Sequence, residues 1–251
     1  METNVIYNED CLVGMKKLPD NSVDLIITSP PYNLGDDFHS NSLRFESYKG
    51  DNMPENKYRE WQVKVLNECY RILKEKGSMW YNHKIRIKNK EIKHPIHWLS
   101  KSNFIIRQEI TWNQRKGANV DKCRCFPFSE RIWWLTKNKD VELFNKENYK
   151  DVWNIVPKHN RKDYNHPAVM AEQVAERIYT LHEHQNINLV VDIFAGVGTT
   201  FIPAVKRNIN FIGIELDKKH INTAYQRLGK FDKNYYNELH EEEKPKQTQL
   251  F

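Results

Sequence analysis

Two apolar runs in this chain end in loops that suit the carboxyl edge of an open parallel sheet. The first, Val23-Asp24-Leu25-Ile26-Ile27, breaks into Thr28-Ser29-Pro30-Pro31-Tyr32. The second, Asn188 to Val191, breaks into Asp192-Ile193-Phe194-Ala195-Gly196-Val197-Gly198-Thr199-Thr200. Short apolar runs bounded by turn chemistry read as buried strands, and open α/β sheets take up ligands just beyond the carboxyl ends of such strands.

The first loop has its own chemistry. Neither proline can donate an N–H and each fixes φ near its ring value, so the carbonyls of Ser29 and Pro30 are aimed before any ligand arrives. A preset acceptor loses little entropy on binding. Beside a hydroxyl and an aromatic ring, such a ledge suits an exocyclic base nitrogen, whose two hydrogens both need acceptors while its ring face is held. Alone, Pro-Pro-Tyr also fits an ordinary strand end; the second loop shifts the balance. Gly196 and Gly198 let the backbone turn sharply and approach a ligand, and Thr199 and Thr200 open the next helix. A dinucleotide fingerprint would place a third glycine where Phe201 stands, which argues against NAD, and no Gly-Lys-Ser/Thr follows to suggest a P-loop.

Together the two motifs resemble those of the DNA amino-methyltransferases. That family pairs a Ser/Asp-Pro-Pro-Tyr catalytic motif with an Asp-x-Phe-x-Gly-x-Gly loop that binds S-adenosylmethionine. The resemblance spans most of residues 5 to 228, and the catalytic motif precedes the cofactor loop, as in the group of these enzymes called beta. It implies S-adenosylmethionine as cofactor, with Ser29, Pro30, Pro31 and Tyr32 as the catalytic segment. Asp192, Phe194, Ala195, Gly196, Gly198, Thr199 and Thr200 are then cofactor-binding. Asn210 to Glu215 reads as the next strand, with Glu215 at its carboxyl end to accept both ribose hydroxyls. An acid there also suits the start of a helix at Asp217-Lys218, but the succession of strand, glycine loop, helix, strand and acid favours the ribose role. The resemblance adds Leu216 beside it, and Asp10 near the adenine ring. His166-Pro167 precedes a helix with Met170, Val174, Ile178 and Leu181 on one stripe, similar to the family segment that borders the methionine end of the ligand. His166 itself reads as a packed or capping residue rather than a general base.

The chemistry of the nitrogen sets the expected mechanism. An aromatic amine delocalises its lone pair into the ring and must be polarised before it attacks an electrophile. Ser29 Oγ and the Pro30 carbonyl are expected to accept the two amino hydrogens and direct the lone pair at the sulfonium methyl. The proton leaves afterwards, so no strong base is needed. A base inside a duplex must be flipped out, at a few kcal/mol, and stacking on Tyr32 offsets ~1–3 kcal/mol of that. Within the family, serine at the first motif position is typical of enzymes acting on cytosine N4, and aspartate is more frequent in adenine N6 enzymes. Cytosine is therefore the expected acceptor and adenine the alternative; an RNA or protein-amide methyltransferase is more distant.

A length of 251 residues with 39% hydrophobic content fits one α/β domain, residues 1–230, with a polar tail over 231–251. The expected fold is a doubly wound, mostly parallel, seven-stranded-type Rossmann-like sheet with an antiparallel hairpin at one edge. Lys57 to Lys76 has helical spacing in Trp61, Val65, Leu66, Cys69, Ile72 and Leu73, with Gly77 as its stop. Strands follow at Ser78 to Tyr81, Phe104 to Thr111 and Arg131 to Thr136, the last two forming the hairpin. Cys11, Cys69, Cys123 and Cys125 make no disulfide framework, and Cys123-Arg124-Cys125 lacks a second ligand pair for zinc, so no metal is expected. No apolar run is long enough to span a membrane and no signal peptide is evident, which places the expected location in the cytoplasm.

The net charge of +6 matters less than its distribution. Basic residues gather at His83 to Lys93, at Arg115-Lys116 with Lys122 and Arg124, and at Lys158 to Lys162. For the first run, a solvated face and a phosphate contact are equally good readings. Arg115, Lys116, Lys122, Arg124, Arg161 and Lys162 are the candidate contacts to double-stranded DNA. A short target-recognition segment is expected at about 137–165, which implies a short recognition site or help from a second subunit in a homodimer. Leu34 to Asn56 reads as a loop that closes over DNA. The ending Gln247-Thr248-Gln249-Leu250-Phe251 resembles peptides that dock into bacterial sliding clamps.

Overall fold

The computed structural model describes residues 1–34, 52–115, 125, 127–158, 164 and 169–235. Strands and helices alternate from the start: β1 (Val5–Asn8), α1 (Cys11–Met15), β2 (Val23–Thr28), α2 (Glu55–Ile72) and β3 (Leu73–His83). A small hairpin of β4 (Arg86–Lys88) and β5 (Glu91–Lys93) and the short α3 (Ile96–Leu99) precede β6 (Ile105–Asn113), β7 (Ser129–Thr136) and β8 (Val152–Asn154). The remainder holds α4 (Glu172–Leu181), β9 (Leu189–Asp192), α5 (Ile202–Lys206), β10 (Asn210–Glu215) and α6 (Lys218–Leu228).

Among the described residues, eight strands form one sheet in the order β1-β10-β9-β2-β3-β7-β6-β8. Every neighbouring pair is parallel except β3 with β7 and β6 with β7, so β7 alone runs against the rest. This is the expected doubly wound, mostly parallel sheet with its antiparallel hairpin. The difference is β8, an eighth strand outside the hairpin. Its three residues were too few to read as a strand, yet Trp153 at its centre is fully buried. From β9 the chain proceeds outward to β10, while from β2 it proceeds the other way to β3. The crevice between β9 and β2 is therefore a topological switch point.

Both faces of the sheet are covered, which is why its strands read as continuous apolar runs. Side chains alternate across it. Ile26, Met79, Tyr81 and Trp133 pack with α1, α2 and α3, while Leu25, Ile27, Trp80, Ile132 and Trp134 pack with α4. Ile6 and Phe211 meet α6 through Ile221, Ala224 and Leu228.

Two expectations need correction. The helix over Lys57 to Lys76 begins earlier, at Glu55, and ends at Ile72, where Leu73 turns extended with ψ 139°. Leu73 continues the helical stripe but is buried as the first residue of β3, opposite Val23. Gly77 therefore does not stop a helix. It lies inside β3 where the pairing with β2 changes register, and a Cβ there would sit 2.9 Å from the Asp24 carbonyl oxygen. A glycine at such a bulge admits the neighbouring backbone. The basic run His83 to Lys93 is also partly structural. Asn89 and Lys90, with φ of 54° and 64°, make the two-residue turn of the small hairpin, a conformation suited to tight right-twisted pairs. Arg86 points inward, 2.9 Å from Glu55 and over the Tyr58 ring at 4.8 Å. Among the described residues no helix is long and apolar enough to cross a membrane.

Candidate active site

Parallel strands deliver their carboxyl ends to one edge. There, Thr28 of β2, Asp192 of β9, Glu215 of β10 and His83 of β3 stand in a row, with Thr28 paired to Tyr81 and Asp192 to Gly213. The two sequence motifs touch directly: Thr28 Oγ1 donates to Asp192 Oδ1 at 2.7 Å across the switch point. Asp192 also accepts from the Phe194 N–H at 3.0 Å and the Thr200 hydroxyl at 2.8 Å. Its carboxyl group is thus spent on folding the loop. Burial pushes its pKa up to about 6 against those three hydrogen bonds.

The glycine loop takes the shape its residues foretold. Gly196 and Gly198 have φ of 48° and 71°, and a Cβ on Gly198 would lie 2.8 Å from Ala224 Cβ. Thr199 does not open an α-helix but a short 3₁₀ turn, Thr199–Phe201, ahead of α5. Its hydroxyl accepts from Arg227 at 2.8 Å. Ala195 N–H donates to the Ile214 carbonyl at 3.0 Å, and Phe194 packs on Trp61. Glu215 receives Gly196 N–H at 2.8 Å and Asp217 N–H at 2.9 Å, so its two oxygens brace the loop while lying at the strand end. Leu216 beside it is 70% exposed. Asp10 caps α1, accepting from Leu12 N–H at 2.9 Å and Val13 N–H at 3.2 Å. Asn8 ties the end of β1 to the carbonyls of Glu215 and Leu216.

Around the proline motif the structure assembles partners that were not among the candidates. Ser29 Oγ is 2.7 Å from Tyr32 Oη, and Tyr32 donates to Glu130 Oε2 at 3.0 Å. Asn82 Nδ2 lies 2.7 Å from Tyr32 Oη, 2.9 Å from Glu130 Oε2 and 3.1 Å from Ser29 Oγ. The Pro31 carbonyl is engaged by Tyr58 Oη at 2.7 Å. Tyr32 differs from an open stacking platform: its residue is 7% exposed and its ring already lies on His83 at 4.6 Å. Asn33, with φ of 53°, clamps both backbone groups of Met53 through its amide, closing the base of the excursion that follows the motif.

His83 sits under this motif yet is no base. Its Nδ1 is 2.6 Å from the Lys84 carbonyl, which only accepts, so Nδ1 carries the hydrogen and Nε2 faces Tyr58 Oη at 2.6 Å. Burial pushes its pKa down to about 3.

Of the DNA-contact candidates, Arg115 is exposed at the carboxyl end of β6, on the same edge as Ser29, with φ of 53° and its N–H on Asn113 Oδ1. Lys116, Lys122, Arg124, Arg161, Lys162, His166-Pro167, most of the Leu34 to Asn56 loop and Gln247 to Phe251 lie outside the described residues.

The buried histidines make a pH prediction. His83 and His182 have pKa values pushed by burial to about 3 and about 4, so the folded state excludes protons that the unfolded chain takes up below the ordinary 6.5. Their contribution is full above 6.5 and is lost as pH falls. Asp192, raised from 3.8 to about 6, works oppositely, its contribution fading as pH rises through that window. Between pH 4 and 6 two histidines outweigh one aspartate, leaving a net stabilisation by base of roughly 1 kcal/mol per pH unit. Denaturant unfolding at pH 7 and pH 5 should show the lower stability at pH 5, with a shallower slope for His182→Asn; a flat or inverted profile contradicts it.

Comparison with known proteins agrees with this arrangement. A family model described as DNA methylase matches residues 23–226. Type II methyltransferase M.HpaI of Haemophilus parainfluenzae is 30% identical over 241 residues, covering 87% of this chain and 72% of that protein. DNA adenine methyltransferase YhdJ of Escherichia coli (strain K12) is 27% identical over 259 residues, covering 90% of this chain and 83% of that protein. Among solved structures, PvuII DNA methyltransferase (cytosine-N4-specific) shares the fold with a TM-score of 0.74 at 18% identity, over 96% of this chain and 94% of that one. Both the Ser29 motif and the Gly196 loop fall inside the matched span, and the chain belongs to the DNA methylase family.

Proposed function

We propose that the chain methylates the exocyclic amino nitrogen of a base flipped out of duplex DNA, with S-adenosylmethionine as donor and cytosine N4 as preferred acceptor. The observation that carries this reading is the 2.7 Å hydrogen bond from Thr28 to Asp192, which sets the acceptor ledge and the glycine loop side by side at the switch point. The residues fit the donor molecule. Glu215 offers a carboxylate for ribose hydroxyls beside the exposed apolar surface of Leu216, a pairing that a nucleoside requires. Asp10, at the neighbouring strand end, borders the base. Phe194, Ala195, Gly196 and Gly198, with Asp192, Thr199 and Thr200 holding their shape, let backbone close on the amino-acid portion.

When bound, S-adenosylmethionine supplies a sulfonium methyl as electrophile. Ser29 Oγ and the Pro30 carbonyl accept the two amino hydrogens and turn the lone pair out of the ring plane. Pro31 stiffens the ledge and has its own carbonyl on Tyr58. Tyr32 holds one face of the base. Neutral, buried His83 is unsuited to take a proton, in keeping with a proton that leaves to solvent after transfer.

Serine rather than aspartate at position 29 favours cytosine, while the similarity to an adenine methyltransferase keeps adenine N6 as the second reading. Arg115, Lys116, Lys122, Arg124, Arg161 and Lys162 are the basic residues assigned to phosphate contact, and residues 137–165 contribute target recognition within a domain of residues 1–230. Relatives named Type II methyltransferases support a restriction-modification setting, and the location assigned is the cytoplasm. A homodimer would enlarge the short recognition surface, and Gln247 to Phe251 would tether the 231–251 tail to a sliding clamp. The test is incubation with methyl-deuterated S-adenosylmethionine and unmethylated mixed-sequence duplex DNA, RNA or protein, followed by nucleoside mass spectrometry. Labelled N4-methylcytosine in DNA is expected. Labelled N6-methyladenine moves the assignment to adenine, and label confined to RNA or protein overturns it.

A further inference from the structure

We infer that Glu130, at the amino end of β7, is a positioning residue that makes Ser29 an obligate hydrogen-bond acceptor through Tyr32 and Asn82. The inference rests on the methyl-transfer reading of the same site. β7 runs against its neighbours β3 and β6, so its first residues, and not its last, reach the catalytic edge.

The argument is a count of hydrogens. A glutamate carboxylate only accepts, and Tyr32 has a single hydroxyl hydrogen, which goes to Glu130 Oε2 at 3.0 Å. The 2.7 Å contact between Ser29 Oγ and Tyr32 Oη must then be a donation from Ser29 to Tyr32. Asn82 has two amide hydrogens. One goes to Glu130 at 2.9 Å, and the other is shared by Tyr32 at 2.7 Å and Ser29 at 3.1 Å. With its own hydrogen turned inward, Ser29 can offer the pocket only a lone pair. That is what an amino group with two hydrogens needs, and a freely rotating serine would offer it only part of the time.

Asn82 reports the same polarity. Its Oδ1 is buried without a hydrogen-bond partner among the described residues, an unfavourable state for a buried acceptor. Flipping the amide gives no relief: Oδ1 would sit 2.9 Å from the Glu130 carboxylate, which has no hydrogen to give, and the NH2 would take the place that has no partner. Glu130 thus sets the direction of the whole network, and its charge strengthens Ser29 as an acceptor through linked hydrogen bonds.

Glu130→Gln tests this. It keeps the shape but removes the charge that fixes the polarity of the network, so that an amide nitrogen facing Tyr32 can reverse the chain and point the Ser29 hydrogen at the substrate. With unmethylated mixed-sequence duplex DNA, kcat should fall roughly 10- to 100-fold, while the Kd for S-adenosylmethionine and the melting temperature stay at wild-type values. In a Tyr32→Phe background, where Ser29 has lost the oxygen it donates to, the same change should add no comparable loss. Glu130→Asp should recover part of kcat. Unchanged kcat in Glu130→Gln, equal losses in both backgrounds, or a matching loss of cofactor affinity would overturn the inference. A readout independent of turnover is the NMR titration of Tyr32 labelled at Cζ, assigned with Tyr32→Phe. Its phenol should ionise at lower pH in Glu130→Gln, and an unmoved titration rejects the link even if the wild-type chain methylates no DNA.

Discussion

Ser29→Ala should lower kcat roughly 10²- to 10³-fold and leave the affinity for S-adenosylmethionine near its wild-type value. The range is that seen when one preorganised group aimed at developing charge is removed from an active site. The split between the two constants follows from connectivity. Ser29 bonds to Tyr32 and Asn82, whereas the glycine loop is held by Thr28, Asp192 and Glu215. Asn82 keeps Tyr32 and Glu130 as partners when the hydroxyl is gone, so the pocket should persist. Steady-state kinetics with calorimetric titration of the cofactor measures both. A kcat within threefold of wild type, or a parallel loss of affinity, contradicts the acceptor role.

Asp192→Ala should do the converse, removing both stability and cofactor binding. Two hydroxyls and one N–H converge on a carboxyl group that is 3% exposed. Each donor left unsatisfied costs about 1–3 kcal/mol, so a loss of about 3 kcal/mol or more is expected in denaturant unfolding. Without the Thr28 link and the Phe194 turn, the loop also loses its attachment to β2, and cofactor affinity should drop more than tenfold. Asp192→Asn keeps the shape and the Oδ1 acceptor, and the Thr200 hydroxyl can accept from the new amide; its loss should be about 1 kcal/mol. Equal losses for the two variants would mean that charge, not the hydrogen-bond set, holds the loop.

What the sequence made legible was local. Apolar runs ending in Ser-Pro-Pro-Tyr and in Asp-x-Phe-x-Gly-x-Gly named two strands and the ligand-binding edge they share, while the switch point between them came with the strand order. The parts missed were set by long-range pairing. Asn82 lies 53 residues from Ser29, and Glu130 lies 98 residues from Tyr32. They meet only because β3 neighbours β2 and β7 runs backwards beside β3. One signal was available for Asn82: it breaks the apolar run Met79-Trp80-Tyr81 where that strand reaches the ligand edge. Glu130 had none, since an acid before Arg131 reads as an ordinary strand start. The helix end at Ile72 was misplaced because Leu73 satisfies both periods, completing a helical stripe while opening a strand. His83 and Arg86 looked like surface charge in a basic run, but burial beneath Tyr32 and Trp98 draws them into the core.

The proposal of one pocket with two loops is tested most directly by a crystal structure of the chain with S-adenosylmethionine. The adenosine should lie along Glu215 and Leu216, and the sulfonium methyl should face the Ser29 hydroxyl and the Pro30 carbonyl across a gap the width of one base. A ligand bound away from the Gly196 turn, or a methyl group pointing away from Ser29, would contradict it.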